Sequence, residues 1–139
     1  MLLRVDARKR LEGRRVIPKK LVALVLERDG GWCVIAGPAC LGEATVADHR
    51  AVRGHGGSTV LNDPRCLIAA CGLCNGWKAD TSRWDRDELI RRGLIVLKAA
   101  TNQETVRKCQ MKEVEYPNGD VFWLLDRAPW RSEHKEANF

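Results

Sequence analysis

The sequence predicts an α+β domain: a small strand, loop, strand and helix unit clamped by a metal ion, flanked by helices and followed by a C-terminal β-hairpin. Three observations predict it. Cys33 pairs with Cys40 and Cys71 with Cys74, and short apolar runs between them alternate with glycine- and proline-bearing breaks. Near the end of the chain Asn118-Gly119 sits between two apolar runs, the strongest short hairpin signal a sequence carries. With 139 residues, 45% apolar and 30% charged, the chain fits one ordinary domain able to bury a core, and its composition argues against disorder.

The elements follow in order. Residues 1–20 form a basic arm in which Arg4, Arg8, Lys9, Arg10, Arg14, Arg15, Lys19 and Lys20 face only Asp6 and Glu12, so the whole net charge of +6 resides there. Clustered charge of this kind is the footprint of an arm resting on a polyanion, nucleic acid foremost, with a solubility tail as the competing use. After Pro18, the run LVALVLERDGG predicts a helix from Lys20 to Arg28 that stops at Gly30 and Gly31, with proline at its entrance and glycine at its exit. The longest uncharged run, Gly30 to Gly42, is broken by Gly31, Gly37 and Pro38. It is too short to cross a bilayer, and no secretory signal opens the chain, so a cytoplasmic protein with no membrane partner is expected.

Cys33-x6-Cys40 carries Gly37 and Pro38 within its turn, and Cys71-x2-Cys74 is the tighter pair. Four sulfurs around one tetrahedral structural zinc is the natural outcome in a reduced compartment, and a redox CxxC is the competing use. Between the pairs, Glu43 to His49 predicts a short strand, Arg53 to Ser58 a glycine-rich loop, and Cys66 to Ala70 a second strand. Cys71 to Asp80 predicts a short helix bearing Cys74, Asn75 and Lys78 on neighbouring turns. Beyond it, Ser82-Arg-Trp-Asp85 starts a helix to about Arg92 that Gly93 stops, and Leu94 to Leu97 is a short strand or an extended packing segment. Met111–Tyr116 and Val121–Leu125 are the arms of the hairpin. The chain thus divides into a basic arm (1–20), a core with the zinc site (21–80), a helix and hairpin extension (81–130) and a polar tail (131–139). Trp32, Trp77 and Trp84 read as packing residues, and Cys109 as a half-buried thiol without a partner.

Arg28-Asp29-Gly30-Gly31-Trp32-Cys33, Cys40, Ala47-Asp48-His49, Gly56-Gly57 and Cys71-Gly-Leu-Cys74-Asn75 with Lys78 together resemble the HNH endonuclease family, in its zinc-stapled subgroup common among phage-encoded proteins. The resemblance covers residues 28–80. It implies a ββα-metal (His-Me finger) fold around one catalytic divalent ion. His49 is then the general base, Asp48 and Asn75 are the ion's protein ligands, and Lys78 and Arg53 are the candidates for gripping flanking phosphates. DNA is the implied partner, and phage terminase or packaging proteins are further ones, because small proteins of this type are often encoded beside terminase genes.

That assignment matches what phosphodiester hydrolysis requires: neutralised phosphate charge, a deprotonated water and help for the leaving oxygen. Histidine titrates near neutrality and suits the base, while hard Mg²⁺ or Mn²⁺ takes oxygen from a carboxylate and an amide. Neighbouring strand residues point to opposite faces, so Asp48 and His49 meet at one site only where the strand ends or twists. One position departs from the family, where an asparagine usually stands five places before the CxxC and steadies the base. Here Cys66 occupies it, and a thiol donates only weakly. Asn62 substitutes only if the loop returns it to the turn. Two functions follow: a metal-dependent DNA endonuclease, or a zinc-containing DNA-binding or adaptor module of weak or absent activity. Residues 21–80 hold five basic and six acidic residues, so the basic arm is expected to supply the non-specific affinity for DNA.

Overall fold

Helix α1 (Lys19–Arg28) forms where the apolar run places it. Its last turn closes through Gly31 N to Leu26 O at 2.8 Å, with Gly30 and Gly31 at φ of 72° and 78°, the left-handed conformation glycine adopts without penalty. The computed structural model describes residues 16–51 and 59–134, so the basic residues up to Arg15, the glycine-rich loop with Arg53, and the end of the polar tail lie outside the described residues. The architecture is α+β as the sequence predicts, with four α-helices and two small sheets among the described residues.

After α1 the chain makes a tight knuckle. Cys33 N donates to Gly42 O and Ala44 N to Gly31 O, both at 2.8 Å, and Trp32 bridges Glu43. Strand β1 (Val46–His49) then pairs antiparallel with β2 (Leu67–Ala70), with Val46 opposite Ala70 and His49 opposite Leu67. All four residues of β2 are fully buried. Removing Leu67 and Ile68 from water contributes about 1.5–3 kcal/mol each, and α1 packs across both strands. Helix α2 (Gly72–Ala79) follows β2 directly.

The join between α1 and β2 is polar and complete. Arg28 and Asp29 are both buried, and the guanidinium donates to Pro64 O and Leu67 O at 2.7 Å while forking onto the Asp29 carboxylate. Asp29 also accepts from Ala69 N and from the Tyr116 hydroxyl. Buried charges persist only when paired and hydrogen-bonded in this way. The pair ties the helix end, β2 and the C-terminal hairpin at one point.

Helix α3 (Arg83–Arg91) starts after Ser82, whose hydroxyl bonds the Asp85 carboxylate at 3.0 Å. Leu94, Ile95 and Val96 follow as a buried segment outside any strand, bent where the Leu94 and Ile95 amides return to Leu89 O, so the run packs rather than pairs, and Leu97 is exposed. Helix α4 (Asn102–Met111) is an element the sequence reading lacks: Met111, expected to begin a strand, ends this helix. Its start is a Thr101-x-x-Glu104 cap, with Thr101 Oγ1 accepting from Glu104 N at 3.1 Å. Thr105, Val106 and Cys109 form its buried face against the 3-10 turns Thr59–Leu61 and Pro64–Cys66. Here Cys109 is fully buried and packs in one core cluster with Cys66, which corrects the expectation of a half-buried cysteine.

The hairpin forms as expected. Strands β3 (Val114–Glu115) and β4 (Val121–Leu124) pair through Val114 opposite Phe122, and the Asn118-Gly119 turn holds Gly119 at φ 91°. Arg131–Glu133, expected to start the polar tail, instead form β5 on the free edge of β4. The Arg131 guanidinium lies 4.1 Å above the Phe122 ring, so stacking on an aromatic face adds to the backbone pairing.

Gly93 is held at φ 77°, and a Cβ there would collide with the carbonyl of Glu113. Gly93→Ala combines a left-handed backbone with overpacking against main chain, and is expected to cost about 2 kcal/mol or more. A urea midpoint equal to that of the unaltered chain would exclude this tight contact.

Candidate functional site

Helix α2 carries the centre of the site. Cys71 is its N-cap, with Sγ accepting from Cys74 N at 3.3 Å, and Cys74 lies one turn on. That location alone also suits a redox CxxC. Two further sulfurs decide otherwise, because Sγ of Cys33, Cys40, Cys71 and Cys74 all lie within 4.8 Å of one another. A tetrahedral thiolate site with metal–sulfur bonds near 2.3 Å has sulfur–sulfur edges of about 3.8 Å, so the quartet could hold a metal ion. Backbone donors support charged sulfurs: Gly37 N reaches Cys74 Sγ and Gly42 N reaches Cys40 Sγ, both at 3.3 Å. The knuckle reaches this close because residue 37 has no side chain; a Cβ there would meet the Trp77 ring at 2.8 Å.

The thiols do not ionise alike. Burial opposes charge on Cys71, but amide donors from Leu41 and Cys74 outweigh it and bring that thiol down to about 6. Burial pushes Cys33 and Cys74 up, and neighbouring thiols add to this. A divalent cation reverses that repulsion, and binding it releases protons.

Directly after Cys74 and one turn further on, α2 brings Asn75 and Lys78 to the end of β1. Asp48, His49, Asn75 and Lys78 line one cavity of about 150 Å³, together with Arg86 of α3 and Ile95. Asp48 and His49 share it because β1 ends at His49, the condition the alternation of strand side chains imposes. The His49 ring nitrogen Nε2 lies 2.9 Å from Asn62 Oδ1. Asn62 therefore returns to the turn and takes the orienting contact, while Cys66, at the position the family gives to asparagine, faces Cys109 in the core.

Lys78, read as a phosphate contact, is buried instead: its ammonium donates at 2.6 Å to both Asp48 Oδ2 and His49 O. Burial pushes the Asp48 carboxyl above the usual carboxylate range, and the charge and hydrogen bond of Lys78 only partly offset this. Arg53, the other phosphate candidate, lies outside the described residues. Trp32 and Trp84 are largely solvent-exposed at 66% and 87% rather than packed, and only Trp77 of the three joins the core.

Two arginines have places that the sequence does not assign them. Arg86 lies too far along the chain from the Asp-His pair for spacing to associate them. Arg50, directly after His49, is 1% exposed and donates at 2.7 Å to the carbonyls of Gly93, Arg65, Cys109 and Lys112. A larger cavity of about 310 Å³ lies between Trp32, Tyr116, Phe122 and Arg131, but its carboxylate, Asp29, is already engaged by Arg28, Ala69 and Tyr116.

Fold and site together define a mixed α+β protein with a four-cysteine group able to hold a metal ion, beside a small cavity lined by an aspartate, a histidine and an asparagine. No protein-family model, curated protein or solved structure matches the chain. Among the described residues no helix is long and apolar enough to cross a membrane.

Proposed function

We propose that the chain is a metal-dependent DNA endonuclease of the HNH type, with structural zinc on Cys33, Cys40, Cys71 and Cys74. The observation that carries this reading is the convergence of Asp48, His49 and Asn75 on one cavity where an antiparallel strand pair meets a helix. The order of elements is the one the family resemblance implies. Asp48 and Asn75 supply the hard oxygen donors that suit Mg²⁺ or Mn²⁺. Such an ion, when bound, would neutralise phosphate charge and stabilise the departing oxygen.

The chain's own groups do the rest. With the proton on Nε2, His49 donates to Asn62 Oδ1, and Nδ1 carries the lone pair that takes a proton from the attacking water. Lys78 fixes the Asp48 carboxylate and, through the His49 carbonyl, the backbone that bears the base.

The same ion pair favours a second reading. An ammonium 2.6 Å from Asp48 Oδ2 already balances that carboxylate, as in a zinc-containing DNA-binding or adaptor module that lacks the chemistry. Supercoiled plasmid incubated with the protein and Mg²⁺ or Mn²⁺ separates the two. The endonuclease nicks or linearises it, and His49→Ala lowers the rate by about 100-fold or more, the usual contribution of a general base. Plasmid left intact by the unaltered chain, yet retarded on a gel, decides for the adaptor.

A further inference from the structure

Four charged side chains line the cavity beside His49, and three of them are already engaged. Asp48 and Lys78 form an ion pair at 2.6 Å, and Arg50 has turned its fork to four backbone carbonyls. Arg86 is the exception. Its side chain is exposed at the cavity wall, and among the described residues it makes no hydrogen bond and no ion pair. Asp48 and Lys78 cancel, so the accessible part of the cavity carries the unbalanced charge of Arg86.

The residue is also held in place. Leu89, one turn further along α3, is 2% exposed in the core, and Ile90 packs beside it. Just past the helix, Arg92 donates to Val34 O and Ile35 O at 2.8 Å, locking α3 to the cysteine knuckle. A free guanidinium on a fixed helix, opening into a cavity with a net positive wall, can present two parallel N–H donors to two oxygens of one phosphate.

We propose that Arg86 is the phosphate-binding residue of this cavity and that its ligand is a phosphodiester of a DNA strand lying across α3 and the end of β1. The naming of DNA as the source of the phosphate rests on the endonuclease reading, whereas the anion site rests on the cavity. Arg86 thus takes the role that the family resemblance implied for Lys78.

The test uses the full chain with His49→Ala, so that substrate survives, and measures binding of a labelled duplex against salt concentration. Each phosphate contact contributes about 0.9 to the slope of log affinity against log salt. Arg86→Ala added to this chain is expected to lower the slope by about one contact and to weaken binding several-fold at low salt, and Arg86→Lys to restore the slope. In the His49-intact chain, Arg86→Ala is expected to slow plasmid nicking at subsaturating DNA. An unchanged slope together with unchanged nicking overturns the inference and leaves the endonuclease reading standing. A lowered slope in a protein that never nicks supports the phosphate site and overturns the endonuclease reading instead. Competition by inorganic phosphate as effective as that by duplex, per phosphate, would overturn DNA as the ligand.

Discussion

Replacing Cys71 and Cys74 together by serine is expected to release one zinc per chain and to abolish cooperative unfolding at room temperature. The four sulfurs bring two parts of the chain to one point: the knuckle after α1 contributes Cys33 and Cys40, and the start of α2 contributes Cys71 and Cys74. Structural zinc in small domains contributes about 10–16 kcal/mol of apparent binding free energy at neutral pH, against a net stability of about 5–15 kcal/mol for a typical domain. Losing the ion therefore removes as much as the whole fold retains. The Trp77 ring, packed over Gly37 of the knuckle, provides the signal. Metal content is read by elemental analysis, and unfolding by tryptophan fluorescence in urea. A double variant with the parental midpoint, or a native protein with clearly less than about one zinc per chain, overturns the structural centre.

Arg50→Met is expected to destabilise the chain by at least about 3 kcal/mol, because it strips buried carbonyls of their donor and each orphaned acceptor costs about 1–3 kcal/mol. The carbonyls of Cys109 and Lys112 lie at the C-terminal end of α4, where the helix leaves acceptors unsatisfied and the macrodipole is negative. Gly93 and Arg65 contribute the other two, from the end of α3 and the turn before β2. Among the described residues no carboxylate answers the charge; burial lowers the Arg50 pKa, with partial compensation from the nearby Cys109 and Cys66 thiols. Arg50→Lys is expected to fall nearly as far, since an ammonium lacks the fork that reaches acceptors on four segments. At a urea dependence of about 2 kcal/mol per molar, the midpoint drops by about 1.5 M. A change below about 0.5 kcal/mol would mean that water replaces the guanidinium and that the cradle is not dry.

Local chemistry made part of this molecule legible. The end of α1 follows from Gly30-Gly31, the β3–β4 hairpin from Asn118-Gly119, and the cysteine quartet from spacing alone. In each case the cause lies within a few residues of its effect. Helix α4 went unread because its apolar face amounts to Val106 and Cys109 around Thr105, too sparse to register as a helical stripe, although Thr101 and Glu104 form a cap. Strand β5 is polar, and only pairing with β4 makes it a strand.

At the site the limit was distance along the chain. His49 meets Asn62, Lys78 turns inward, and Arg86 reaches the cavity only because Leu89 and Arg92 fix α3. None of these is written in residue type. Cys66 shows the reverse: its identity suggested a defect in the site, whereas the fold buries it in the core cluster that holds Cys109.

Three consecutive residues at the end of β1 go to three destinations: Asp48 to Lys78, His49 to Asn62, and Arg50 to the carbonyls behind them. Strand alternation makes this arrangement intolerant of frame. Inserting or deleting one residue between Val46 and Arg50 would rotate an imidazole into a dry pocket of carbonyls and a guanidinium toward the ammonium of Lys78. Length in this segment is therefore a stricter requirement than the identity of a residue such as Val46, half-buried at the strand's far end, where another apolar side chain would pack.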